Sequence, residues 1–105
     1  MVLKRVFSID IPEVRTTTQS PYKVREGQTA TLSCAVTDAN PNTGITWRWI
    51  KTDSPNTTLD ARATYTIPNI QRGRSGKYSC TASNTAGSSV AVTIDIDVQC
   101  KLRFA

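Results

Sequence analysis

Two cysteines, Cys34 and Cys80, stand 46 positions apart in this chain, with Trp47 between them and Tyr78 two places before the second. Both lie in stretches where apolar and polar residues alternate, so strands from distant parts of the chain can be stapled around one compact core. No stretch shows a helical period. At 105 residues there is room for one hydrophobic core, burying roughly 60 to 68% of the surface that the unfolded chain exposes, and no room for a second.

Residues 1–11 place Leu3, Phe7, Ile9 and Ile11 on alternate positions and read as an N-terminal extension or linker. The folded domain is expected over 12–98, with 99–105 as a C-terminal extension. After Pro12, the Thr-rich stretch 14–18 suits an edge strand. In 29–36, Ala30, Leu32, Cys34 and Val36 share one face and point to the core. The run 38–44, which holds Asn40 and Asn42, is dense in turn formers and reads as an exposed loop. In 45–50, Ile45 and Trp47 face inward. Trp47 is expected to be buried, and Trp49, of the same parity but nearer the strand end, to cap the core or stay partly exposed. Residues 51–62 offer one sizeable apolar anchor, Leu59, enough for at most one short edge strand. Tyr65 and Ile67 resume the alternation, Ile70 packs under the turn after Pro68, and 72–76 form a polar turn. Tyr78, Cys80 and Ala82 then share a face, 84–87 make a hairpin loop, and every even position from Val90 to Val98 is apolar.

About seven short strands at regular spacing argue an all-β two-sheet sandwich. Cys34, Trp47 and the run Ser75-Gly76-Lys77-Tyr78-Ser79-Cys80 resemble the signature of immunoglobulin domains, as do Glu26-Gly27-Gln28, Ile67-Pro68-Asn69-Ile70 and the string from Cys80 to Gly87. The likeness covers roughly residues 12–98. It implies an antiparallel Greek-key sandwich with a Cys34–Cys80 disulfide, a core of Trp47, Tyr78 and Leu32, and a Tyr78 hydroxyl bonded back to the preceding turn. Such a bridge would contribute about 4 kcal/mol in the chain-entropy model. The string from Cys80 is similar to intermediate-set and short constant-like domains of cell-adhesion molecules, matrix proteins and immune receptors. Only 18 positions separate Trp47 from Tyr65, too few for the added strands of antibody variable domains. Arg74 stands where the family usually has Asp, which implies loss of a common salt bridge.

The composition excludes several chemistries. With no histidine there is no Ser-His-Asp triad, no Cys-His pair and no histidine metal ligand. Asp95 and Asp97 sit two apart on a strand's wet face, where solubility explains them, and no catalytic residue, metal ligand or cofactor is assigned. No apolar run approaches the roughly 20 residues that cross a bilayer, so direct membrane insertion is not expected. Thirteen Lys and Arg against eight Asp and Glu give a formal charge of +5. Arg62, Arg72, Arg74 and Lys77, with Lys23 and Arg25, are a candidate basic patch for sulfated glycans, although a solvated turn region explains them more simply. Gly73-Arg74-Ser75-Gly76 resembles the GxxG loop that clamps nucleic-acid backbones in one RNA-binding family, but that loop joins two helices, and without helices nucleic-acid binding is not expected.

Three cysteines in a small chain favour an oxidising compartment. Cys100 is left over: it is either a thiol freed by excision from a longer chain or an intermolecular link. Asn56-Thr57-Thr58 is an N-glycosylation acceptor. The leading reading is a recognition or adhesion module of an extracellular or cell-surface multidomain protein, an ectodomain piece without its export signal or anchor. Its partner is expected to be a protein, a like domain included. The candidate contacts are Asn40, Asn42 and Asn84 on the loops, and Arg48 and Trp49 on a sheet face. The rival is a spacer domain of a giant intracellular filament protein; a third reading is capture of anionic glycans.

Overall fold

The computed structural model describes residues 10–40 and 43–100. Among the described residues eight strands follow in order: β1 (Asp10–Thr16), β2 (Tyr22–Arg25), β3 (Ala30–Asn40), β4 (Thr46–Lys51), β5 (Thr64–Ile67), β6 (Gly76–Asn84), β7 (Gly87–Ser88) and β8 (Val92–Gln99), with one 3-10 turn at Arg72–Arg74. They form two sheets. One has the order β1-β3-β5; the other runs β2-β8-β6-β4, with β7 added beside β6. All pairings are antiparallel except β2 with β8, which is parallel. The first segment of the chain therefore serves both layers: β1 completes the β3 sheet, and β2 then joins the opposite sheet.

The core lies where the alternation predicted inward faces. Ala30, Leu32 and Cys34 of β3 meet Tyr78, Cys80 and Ala82 of β6, and Ile94, Ile96 and Val98 of β8 close the layer. A disulfide joins Cys34 to Cys80, one cysteine from each sheet. Ile67 and Ile70 are buried beneath the turn, and Leu59 and Tyr65 pack partly against the same cluster.

Three expectations need correction. The tryptophan sealed in the core is Trp49, fully buried, whereas Trp47 is only partly buried against the cluster. Both point to the same layer, but register decides depth: Trp49 lies opposite Cys80, at the level of the disulfide, while Trp47 lies opposite Ala82, one step nearer the sheet's end. Trp49 is thereby removed as an exposed contact. Second, the stretch from Asp38 is not all loop. β3 continues to Asn40, because β1 supplies backbone partners in the pairs Glu13↔Asp38 and Asp10↔Asn40. Asn42 lies outside the described residues, as does the bulk of the 1–11 extension. Third, Val90 does not face the core and is 85% exposed. Ladder pairing lapses between Ser88 and Val92, and Ser89 instead turns inward: its N–H donates to the Ala82 carbonyl at 2.7 Å and its Oγ accepts the Ala82 N–H at 3.0 Å.

Between β4 and β5 the chain makes no continuous strand. Trp49 and Asp60 form an isolated bridge, with the Trp49 N–H donating to Asp60 O at 3.0 Å and the Leu59 N–H to Trp49 O at 2.7 Å. One apolar anchor in this stretch, Leu59, accounts for one point of attachment.

Candidate functional site

Strand directions gather two sets of residues at opposite poles. One pole holds the start of β1, the end of β3, the start of β4 and the β6–β7 hairpin. The hairpin pairs Ser83↔Ser88 and Asn84↔Gly87, leaving Thr85 and Ala86 at its tip. Asn84 Oδ1 accepts the Ala86 N–H at 2.8 Å, and the Ser83 and Ser88 hydroxyls are 2.7 Å apart. Asn84 thus shapes the turn from within. Beside it, Gly87 adopts φ +142°, and a Cβ there would sit 3.5 Å from Ile11 Cγ1. Ile11 is 48% exposed, and with Val90 it makes up the exposed large hydrophobics among the described residues. Pro12, Glu13, Val14, Val90 and Val92 line a groove of about 280 Å³ between β1 and the approach to β8. Neither Ile11 nor Val90 is among the candidate contacts that the sequence offers. Strict alternation sends Val90 inward, and no local signal marks the lapse that turns it out.

The opposite pole is polar. Tyr78 is buried, and its hydroxyl donates to the Arg74 carbonyl at 2.6 Å. Lys51 spans the same turn, with Nζ 5.9 Å from the Tyr78 ring centroid and 3.5 Å from Gly73 O. Its Cε would lie 3.0 Å from a Cβ at residue 76, a contact the flexible lysine can relieve, and it is the φ of +140° there that calls for glycine. Arg72 pairs with Glu26 at 3.2 Å and donates from Nη1 to the exposed Cys100 Sγ at 3.3 Å. Electrostatic interaction with Cys100, followed by that with the Glu26 carboxylate, holds the Arg72 guanidinium above its ordinary value.

Burial, the largest cause, raises the Tyr78 phenol above its ordinary 10.0. The fold therefore favours the neutral ring. The stability this contributes is complete below pH 10 and is lost as the pH climbs through the raised folded value, because the unfolded chain ionises first. Tyr78→Phe is expected to cost about 1 kcal/mol at neutral pH through the lost hydrogen bond. It should also flatten the alkaline fall in stability, a difference that urea unfolding at pH 8 and above pH 10 will show.

The candidate basic patch is dispersed. Arg62 pairs with Asp60 at 3.1 Å, Arg72 with Glu26, and Lys77 with Asp95 at 3.9 Å across the outward face of the β6–β8 pair. The Arg62 hydrogen bond holds the Asp60 carboxyl below its usual range. Three of the four cations thus face a carboxylate, and Arg74 contributes its backbone carbonyl to Tyr78. Arg48, on the outward face of β4, donates from Nε to Thr58 Oγ1 at 2.9 Å and from Nη2 to the Pro55 carbonyl. It pins the loop that carries the exposed Asn56 and is committed to that task.

The immunoglobulin domain family model matches residues 11–84. Glycosylphosphatidylinositol anchor protein 2 with a MAM domain, from Mus musculus, is 36% identical over 80 residues, 73% of this chain and 8% of that protein. The chain therefore spans a small fraction of the relatives it matches. Among solved structures, the mouse nectin-like molecule 4 ectodomain is 25% identical with a TM-score of 0.61, covering 90% of this chain and 32% of that one. The three N-terminal domains of the outer capsid protein Hoc of bacteriophage RB49 match at TM-score 0.70 and 15% identity, over 84% of this chain and 30% of that one, a likeness of fold alone. The family match runs over the same strands that carry the inter-sheet disulfide, the buried tryptophan and the bonded tyrosine, and this chain belongs to the immunoglobulin domain family.

Proposed function

We propose that this domain is a non-enzymatic recognition module of an extracellular or cell-surface multidomain protein, and that it binds a protein partner through the pole formed by the β6–β7 hairpin and the start of β1. The observation that carries this reading is the exposure of Ile11 beside the hairpin and of Val90 on the groove. Apolar side chains left in water next to a concavity cost free energy that a partner recovers on docking. The location is supported by the disulfide, which persists in oxidising compartments, and by relatives whose names specify a glycosylphosphatidylinositol anchor and an ectodomain. The same disulfide weighs against a spacer role inside a filament protein. Capture of sulfated glycans is less well supported, because three of the four candidate cations are already paired. Cys100, exposed beside Arg72 at the far pole, remains free to link chains covalently without touching the recognition surface.

Beads coated with the chain test the reading, since multivalent display makes weak contacts between like domains visible. Clustering is expected, and Val90→Asp should abolish it while leaving the unfolding free energy within about 0.5 kcal/mol of the parent, as for exposed positions generally. Equal clustering by the variant would retire this pole as the contact surface.

A further inference from the structure

Three observations meet at Asn56. It opens Asn56-Thr57-Thr58, the acceptor pattern for an N-linked glycan. Every residue from 52 to 58 is exposed. The loop around it is nevertheless anchored: Ser54 N–H donates to Lys51 O at 2.8 Å, Thr57 N–H donates to Ser54 O at 3.2 Å, and Arg48 ties Pro55 and Thr58 back to β4. Asn56 is therefore an accessible side chain held at one place, beside β4.

That place matters because β4 is the last strand of its sheet. Among the described residues its outer side is met by the isolated bridges to Ser54 and Asp60. Trp49 sends its N–H outward to Asp60, and antiparallel alternation directs the N–H and C=O of Trp47, two residues earlier, to the same outer side. Trp49 and Lys51, two of the three outward positions of β4, are thus taken by Asp60 and Ser54, and among the described residues Trp47 is the outward position left on which a second chain can begin a strand.

The geometry points to a modification site: Asn56 carries an N-linked glycan that covers the part of the β4 edge these bridges leave open and keeps a second copy of the chain from pairing there. This rests on the exported location proposed above. The test uses the full chain with Val90→Asp and Cys100→Ser, so that neither the hairpin pole nor the free thiol contributes, secreted from a glycosylating cell. The secreted protein should lose mass on glycosidase treatment, Asn56→Gln should lack that mass, and Thr58→Ser, which keeps the acceptor pattern, should retain it. In sedimentation velocity the glycosylated form should stay monomeric, while the enzymatically stripped form and Asn56→Gln move to higher mass with concentration. Absence of the glycan on secreted, folded chain overturns the site, and a stripped chain that remains monomeric overturns the shielding role. Either failure leaves the recognition reading standing, since bead clustering needs no glycan. Discovery of the natural protein only in a reducing compartment would end the exported reading while the forced-secretion result still reports on the acceptor.

Discussion

Exchanging Cys34 and Cys80 together for alanine is expected to lower the midpoint of thermal unfolding by about 16 to 32 °C, or to leave the chain unfolded near body temperature. The bridge closes a loop of 46 residues and ties one sheet to the other. In the chain-entropy model a closure of this length removes enough unfolded-state freedom to contribute about 4 kcal/mol. A domain of this size holds about 5 to 15 kcal/mol in all, and each kcal/mol moves its midpoint by about 4 to 8 °C. The double exchange avoids leaving a lone buried thiol, so the loss reports the crosslink and two small side-chain truncations. Calorimetry or circular dichroism on both proteins measures it, and a midpoint within a few degrees of the parent would refute the account. With Cys80 fully buried and Cys34 nearly so, reductant should reach the bridge only through unfolding. Resistance to reductant should accordingly fall with rising temperature or urea.

Trp49→Ala is expected to cost about 3 to 5 kcal/mol, as large truncations in a packed core do. Trp47→Ala should cost less than half as much. Trp49 lies fully buried opposite Cys80, with the Tyr65 ring 6.4 Å from its own, so alanine there opens a cavity against the disulfide. Trp47 keeps one side in solvent, and its removal leaves a dent that water fills. Trp49→Phe should fall well below the alanine value for a second reason: the buried Trp49 Nε1–H has no hydrogen-bond partner among the described residues, so phenylalanine removes an unsatisfied donor along with the lost ring area. Urea unfolding of the three variants ranks them, and acrylamide should quench Trp47 in the folded protein while sparing Trp49. Equal costs for the two alanine variants would return Trp47 to the centre of the core.

The alternation of apolar and polar residues was enough to place most strands, and the cysteine-tryptophan-tyrosine constellation was enough to identify the sandwich and its staple. Both signals are local: successive side chains of an extended backbone point to opposite faces, whatever the strand pairs with. Tyr78 was legible for the same reason, since its partner, Arg74 O, lies four residues away in the chain.

What the sequence could not order was depth. Trp47 and Trp49 have the same parity, and only the register of β4 on β6 shows which one reaches the level of the disulfide. Val90 continues an even-numbered apolar series, yet the bonds of Ser89 to Ala82 break the ladder there and leave Val90 in water. Arg48 looks like a free contact until the fold brings Pro55 and Thr58 within its reach. The basic residues look like a patch until Glu26, Asp60 and Asp95 are placed against three of them, in one case from 46 residues away. The sequence by itself determined the fold family, the crosslink and the inward faces, because these follow from backbone periodicity and from residue types that serve one purpose. Burial depth, charge pairing and the exposed apolar pole were decided by the tertiary structure, because each depends on which distant strand lies opposite and on where its ladder ends.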